Sequence, residues 1–156
     1  MTRYRIIALM ILSVLLLTAC GSTASTASPA AIASEVPSLL VSGGSISKAY
    51  TRSDLQALTP YQAVFNDVTY VGVSVAELVQ DAGFGLGQVK AIKAVASDGY
   101  TVNYEPSQLL VNGVILAYAR ADGELAEDDG AFRLVLPDAE GKLNVRMLIE
   151  LRIYIE

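Results

Sequence analysis

Histidine and tryptophan are missing from all 156 residues, and cysteine occurs once. Without histidine no Ser-His-Asp or Cys-His catalytic set can be assembled. A single cysteine cannot close an intramolecular disulfide, so stability has to come from a hydrophobic core. Basic residues are few as well: eleven Lys and Arg stand against sixteen Asp and Glu, a net charge of −5. That balance repels phosphate backbones and anionic head groups, and it speaks against nucleic-acid binding. The apolar run near the start, Ile6 to Leu17, has 12 residues, whereas a helix needs about 20 to cross the hydrocarbon core of a bilayer.

What is present at the amino end explains the lone thiol. Arg3 and Arg5 precede the apolar run, and small residues follow it, which is the pattern of an export signal. The junction Leu17-Thr18-Ala19-Cys20-Gly21 resembles a bacterial lipobox. The resemblance implies cleavage after residue 19 and lipidation of Cys20, with fatty chains on its sulfur and amine. Each buried methylene contributes about 0.8 kcal/mol, so two or more chains hold a protein on a membrane durably. Residues 1–19 are therefore expected to be a lipoprotein signal peptide, and the protein to sit on the extracytoplasmic side of a bacterial cell membrane. Cleavage would leave nine basic against sixteen acidic residues, or −7. Residues 20–35, rich in Ser, Thr, Ala and Pro, hold too little large apolar surface to pack and read as a flexible tether.

Residues 36–156 are long enough for one domain. A strand is expected over Val36 to Val41, closed by Ser42-Gly43-Gly44. Thr51-Arg52-Ser53-Asp54 opens a short helix to about Leu58, with Thr51 as cap and Asp54 in the positive first turn; Pro60 bars its continuation. Ala63 to Val73 is strand, broken near Asn66-Asp67. Ser74 and Glu77 have capping-box spacing before a helix that Gly83 ends. Val89 to Ala96 and Thr101 to Tyr104 flank Asp98-Gly99, a hairpin signal because both turn positions tolerate positive φ. Pro106 to Val111 reads as a short helix, Val114 to Arg120 and Phe132 to Leu136 as strands. Leu151, Ile153 and Ile155 alternate with polar residues and share one sheet face. Strands with a few short helices, without regular alternation, give an α+β class with a β-rich core.

Five segments in order are "LLVSGGSISKAYTRSDLQAL", "YVGVSVAELVQDAGF", "AVASDGYTVNY", "VILAYARADGELAEDDGAFRLVLP" and "GKLNVRMLIELRI". Together they resemble the molybdopterin-binding domain of the sulfite oxidase family, in a short stand-alone form spanning nearly all of Val36 to Ile153. The resemblance implies a mixed, β-rich α+β fold. It also implies molybdenum held by the pterin's two sulfurs and one protein cysteine, placed between the first helix and the Gly-Val-x-x-x-x-Leu segment. Here that stretch, "TPYQAVFNDVTYVG", contains no cysteine, and soft thiolate ligation is not replaced by Tyr61, Asn66 or Asp67. Arg133 takes the place of a family arginine before the strand that ends in proline, and Arg146 stands where the family commonly has lysine.

Arg133 and Arg146, with Tyr100, are the candidate cofactor-binding residues, the arginines through charge-assisted bonds to an anion. Against that, Arg133 could brace a neighbouring loop, Arg146 could lie on a solvated face, and Tyr100 and Tyr104 could be packing aromatics. No catalytic residue and no metal ligand is assigned. The rhythm Gly83-Phe84-Gly85-Leu86-Gly87 follows a helix rather than opening one, unlike a phosphate-cradling loop. Glu124, Glu127, Asp128 and Asp129 lack calcium-loop spacing and read as a solvated acidic loop. The expectation is a lipid-anchored domain without metal chemistry and without a cofactor, binding a small anionic ligand or a membrane-associated protein. The alternatives are a molybdopterin-dependent oxidoreductase without protein thiolate ligation and a pure protein-interaction module.

Overall fold

The computed structural model describes residues 36–156; the expected signal segment, Cys20 and the tether lie outside them. Nine strands and three short α-helices follow one another: β1 (Ser38–Gly43), β2 (Ile46–Thr51), α1 (Arg52–Gln56), β3 (Tyr61–Phe65), β4 (Val68–Ser74), α2 (Val75–Asp81), β5 (Val89–Ala96), β6 (Thr101–Tyr104), α3 (Pro106–Leu109), β7 (Ile115–Arg120), β8 (Arg133–Val135) and β9 (Leu148–Ile155). The expected β-rich α+β class is what forms.

Two sheets divide the strands, one in the order β2-β1-β9-β5-β6 and the other β3-β4-β7-β8. Within them only β1 and β9 run parallel, with Val41 opposite Leu151. This pairing brings the last strand into the middle of the first sheet. A β-carbon on Gly43 would collide with the Ile153 carbonyl oxygen, so a residue without a side chain lets β1 and β9 lie this close.

Apolar residues from both sheets meet in one core: Leu39, Val41, Ile92, Leu151 and Ile153 from the first, Val73, Leu116 and Leu134 from the second, with Leu55, Leu78 and Val79 from α1 and α2. A smaller cluster of Ala63, Tyr70, Ile115, Ala117 and Val135 packs apart from it, backed by Phe65 and Val68. Ile115 and Ala117 belong to this cluster while Leu116 between them joins the large core. The period-2 alternation of β7 therefore feeds both faces of the second sheet.

Local signals account for most turns. Asn66 and Asp67 both have positive φ and join Phe65 to Val68 in a two-residue turn, the arrangement that suits right-twisted hairpins. Thr51 and Asp54 form a reciprocal capping box. At Asp98-Gly99 only Gly99 has positive φ, and the loop is closed by Gly99 N–H to Ala96 and Ala96 N–H to Tyr100. The expected hairpin forms, but through a longer turn than a two-residue one.

Four expectations change. Residues 46–51, left unassigned, form β2 against β1, and β1 runs on through Ser42 and Gly43, so the turn is Gly44-Ser45. Ser74 precedes α2 without a side-chain cap; the Glu77 carboxylate accepts from the Thr59 N–H at 3.4 Å instead. Gly83 does end that helix, with Gly83 N–H on Gln80 and Phe84 N–H on Val79, a Schellman arrangement. On β9 a register shift near Ala96 puts Leu148, not Ile155, with Leu151 and Ile153 in the core; Ile155 is exposed.

Candidate functional site

One cleft gathers the charged side chains that the interior admits. It has a volume of about 280 Å³ and is lined by Phe65, Asn66, Tyr70, Arg120, Asp128, Asp129, Arg133, Gly141, Asn144 and Arg146. Five parts of the chain converge here, one of them the segment 141–146 that precedes β9. The β3–β4 hairpin brings its turn and Tyr70, β7 ends at Arg120, the 3₁₀ turn Glu127–Asp129 brings the acids, and β8 begins at Arg133.

Backbone geometry fixes the acidic turn. The Asp129 N–H bonds the Ala126 carbonyl at 2.9 Å, and the Met147 N–H bonds the Asp129 carbonyl at 2.8 Å. Gly130 follows at φ 72°. A β-carbon there would lie 2.8 Å from the Met147 Cα, so a side chain at 130 would push the crossing segments apart. Arg146 is thereby delivered next to the turn. Asn144, 4% exposed, is committed to the backbone: its amide oxygen accepts from the Leu136 N–H at 2.7 Å, and its NH₂ group reaches the Leu136 and Glu140 carbonyls.

The floor of the cleft is an ionic network. Arg133 is 5% exposed and Asp129 2%. One Arg133 Nη donates to Asp129 Oδ1 at 2.6 Å and to the Tyr70 hydroxyl at 2.8 Å, and its guanidinium lies 4.6 Å from the centre of the Tyr70 ring. Arg120 reaches the other Asp129 oxygen at 3.5 Å. The Nε–H groups of Arg120 and Arg133 are buried without a hydrogen-bond partner among the described residues. Such donors are unusual and unfavourable, each by about 1–3 kcal/mol. At the rim, Arg146 pairs with Asp128, both largely exposed. Three guanidinium groups against two carboxylates leave this cleft positive on a chain of net charge −5.

A second polar cluster, between β2 and the end of α2, is closed on itself. Asp81 accepts from Lys48 at 2.7 Å and from the Tyr50 hydroxyl at 2.6 Å. Lys48, then Tyr50, hold the Asp81 carboxyl below its ordinary range, while burial and Asp81 push the Tyr50 phenol up.

Arg133 and Arg146 thus come together. Tyr100 does not join them: it is 44% exposed and donates to the Lys142 carbonyl at 2.8 Å. Arg120 was not singled out in the sequence, where it reads as the polar end of an apolar strand. The acids Glu124, Glu127, Asp128 and Asp129 are expected from sequence to form a solvated loop; Asp129 is instead buried and paired with Arg133, because the turn at Gly130 folds it inward.

The stretch in which the resemblance implies a metal-binding cysteine forms the β3–β4 hairpin. At the cleft it supplies the rings of Phe65 and Tyr70 and the amide of Asn66. The sulfur of Met147, the only one among the described residues, borders a different groove, with Phe132 and Leu148. No group of three or more His, Cys, Asp or Glu with metal-holding geometry occurs among the described residues. The cleft fits an anionic group, through its arginines, and does not fit thiolate ligation of a metal.

Residues 33–155 match the family described as oxidoreductase molybdopterin binding domain. No curated protein matches the chain. Among solved structures, the sulfane dehydrogenase SoxCD from Paracoccus pantotrophus is similar in fold, with a TM-score of 0.64 and 20% sequence identity, over 77% of this chain. The match covers 38% of that SoxCD chain, so this chain spans well under half its length. By the extent of the family match, the chain belongs to the oxidoreductase molybdopterin-binding domain family.

Proposed function

We propose that this protein is an extracytoplasmic lipoprotein, anchored through Cys20, whose molybdopterin-binding-family domain binds a small anionic ligand and performs no molybdenum chemistry. One observation carries the reading: a cleft lined by three arginines whose β3–β4 wall offers rings and an amide, and no thiolate. Arginine forks give charge-assisted bonds to oxyanions and hold them with defined geometry. Arg120 and Arg146, the two that reach the outside, are the ligand's contacts. Arg133 is held against Tyr70 and Asp129 beneath them.

Size supports a compact ligand. About 280 Å³ lies just under the roughly 300–1,000 Å³ usual for ligand pockets. Were a molybdopterin to bind, its phosphate would be held by the same Arg120 and Arg146; the metal chemistry it supplies elsewhere would find no protein sulfur here.

Membership of the family favours a second reading, an oxidoreductase that holds a pterin cofactor without a protein thiolate. Full-length protein purified from a bacterial host in detergent separates the two. Mass spectrometry of the amino-terminal peptide should find diacylglycerol on Cys20, and native mass spectrometry a small anion and no pterin; a ligand-free protein would count against anion binding. A pterin mass on the intact protein would favour the second reading, and an unmodified Cys20 would remove the anchor.

A further inference from the structure

We propose that Asp129 is the cleft's own anion, a carboxylate seated where an external oxyanion would otherwise bridge Arg120 and Arg133. The inference rests on the anion-binding reading above and goes further, because it says what limits that binding.

Asp129 offers one oxygen to Arg133 and the other to Arg120. These arginines come from different strands, the end of β7 and the start of β8. Two guanidinium groups sharing the two oxygens of one carboxylate is how a bound carboxylate, sulfate or phosphate is held. Backbone and side chain are both held: the Ala126 and Met147 hydrogen bonds and the Gly130 crossing fix the turn, and burial against Arg133 and Arg120 holds the carboxylate. Its neighbour Asp128 has the same charge and faces Arg146, but both partners are mostly exposed. A ligand can displace that exposed pair at little expense. It cannot displace a buried, tethered carboxylate so readily, and the charge of Asp129 also opposes any anion that approaches Arg120.

The consequence is a site of self-limited strength. Wild-type protein takes a small oxyanion weakly, through Arg120 and Arg146. Neutralising Asp129 lifts its repulsion of incoming anions and releases donors on Arg120 and Arg133; shortening the side chain as well, as in Asp129→Ser, also vacates its seat for an oxyanion.

Inorganic phosphate is the probe, titrated into full-length protein in neutral detergent at constant ionic strength, with calorimetry and melting temperature as readouts. Asp129→Asn should bind phosphate at least about tenfold more tightly than wild type, since it removes one nearby unit of like charge. Asp128→Asn should change affinity much less. Asp129→Asn combined with Arg133→Met should lose the gain, because the released donor is gone. A variant that folds only when phosphate is added counts as tight binding by linkage. Asp129→Ser is the second variant should the Asn protein not fold. Equal phosphate affinity in wild type and folded Asp129 variants would overturn the role of Asp129 while leaving anion binding intact. No phosphate binding in any of these proteins would overturn both. Asp129 variants that stay unfolded at every phosphate concentration would overturn the seat, because an external anion then cannot take the carboxylate's place.

Discussion

Two arginine–aspartate pairs meet in one cleft and are built from adjacent acids, Asp128 and Asp129, yet they sit in different physical regimes. Arg133 and Asp129 form the floor, with side chains 6% and 3% exposed; Arg146 and Asp128 form the rim, at 53% and 68%. On the floor, each charge was taken out of water and depends on its partner, so breaking the pair strands a charge. At the rim water does most of the work, and the pair contributes about 0–1 kcal/mol. The floor therefore specifies structure, whereas the rim is free to exchange partners.

The contrast can be broken most forcefully at Arg133. Arg133→Met leaves Asp129 buried with Arg120 alone at 3.5 Å, and a loss of about 3–5 kcal/mol is expected in urea unfolding. A loss below about 1 kcal/mol would place the floor in the same regime as the rim. Tyr70→Phe removes only the hydroxyl that accepts from Arg133. Bonds to charged groups are worth about 1.5–3 kcal/mol, so a loss in that range is expected by the same measurement, with phosphate affinity nearly unchanged.

An intermediate case lies at Asp81, part-exposed and paired with Lys48 and Tyr50. Its folded-state pKa is lowered, first by Lys48 and then by Tyr50. Its stabilisation is therefore complete above the unfolded value of about 4 and disappears as the pH falls through the lower folded value. Asp81→Asn should be less stable than wild type near neutrality, and the difference should close in acid when unfolding is followed across pH. A constant difference at all pH values would assign the effect to packing. Smallest of all, Asp128→Asn should change stability by no more than about 1 kcal/mol.

The same division governs how much could be read from the amino acids. Features settled within a few residues were legible: the Asn66-Asp67 turn, the Thr51–Asp54 cap, the Gly83 stop and Pro106 opening α3. The ordered segments carried the fold class for the same reason. Ser74 and Glu77 have the right spacing for a cap, but the Glu77 carboxylate accepts instead from Thr59 in the α1–β3 loop, a long-range contact that the local spacing does not encode. Strand β2 has β formers at Ile46, Tyr50 and Thr51, but Ser47, Lys48 and Ala49 interrupt them, and its pairing with β1 completes the strand. The cleft was half legible. Arg133 and Arg146 stood out through the resemblance, whereas Arg120 and the burial of Asp129 depend on Gly130 crossing Met147, a contact that no local pattern encodes. Tyr100 stood beside a turn signal, but its side chain goes to Lys142.

As proposed above, this member of the molybdopterin-binding family keeps an anion cleft without the metal. Elemental analysis of full-length protein, purified without chelators from a host that makes molybdenum cofactor, tests it most directly. The expected result is molybdenum and tungsten far below one atom per chain, with phosphate still raising the melting temperature. Molybdenum or tungsten at one atom per chain, retained through purification, would contradict it.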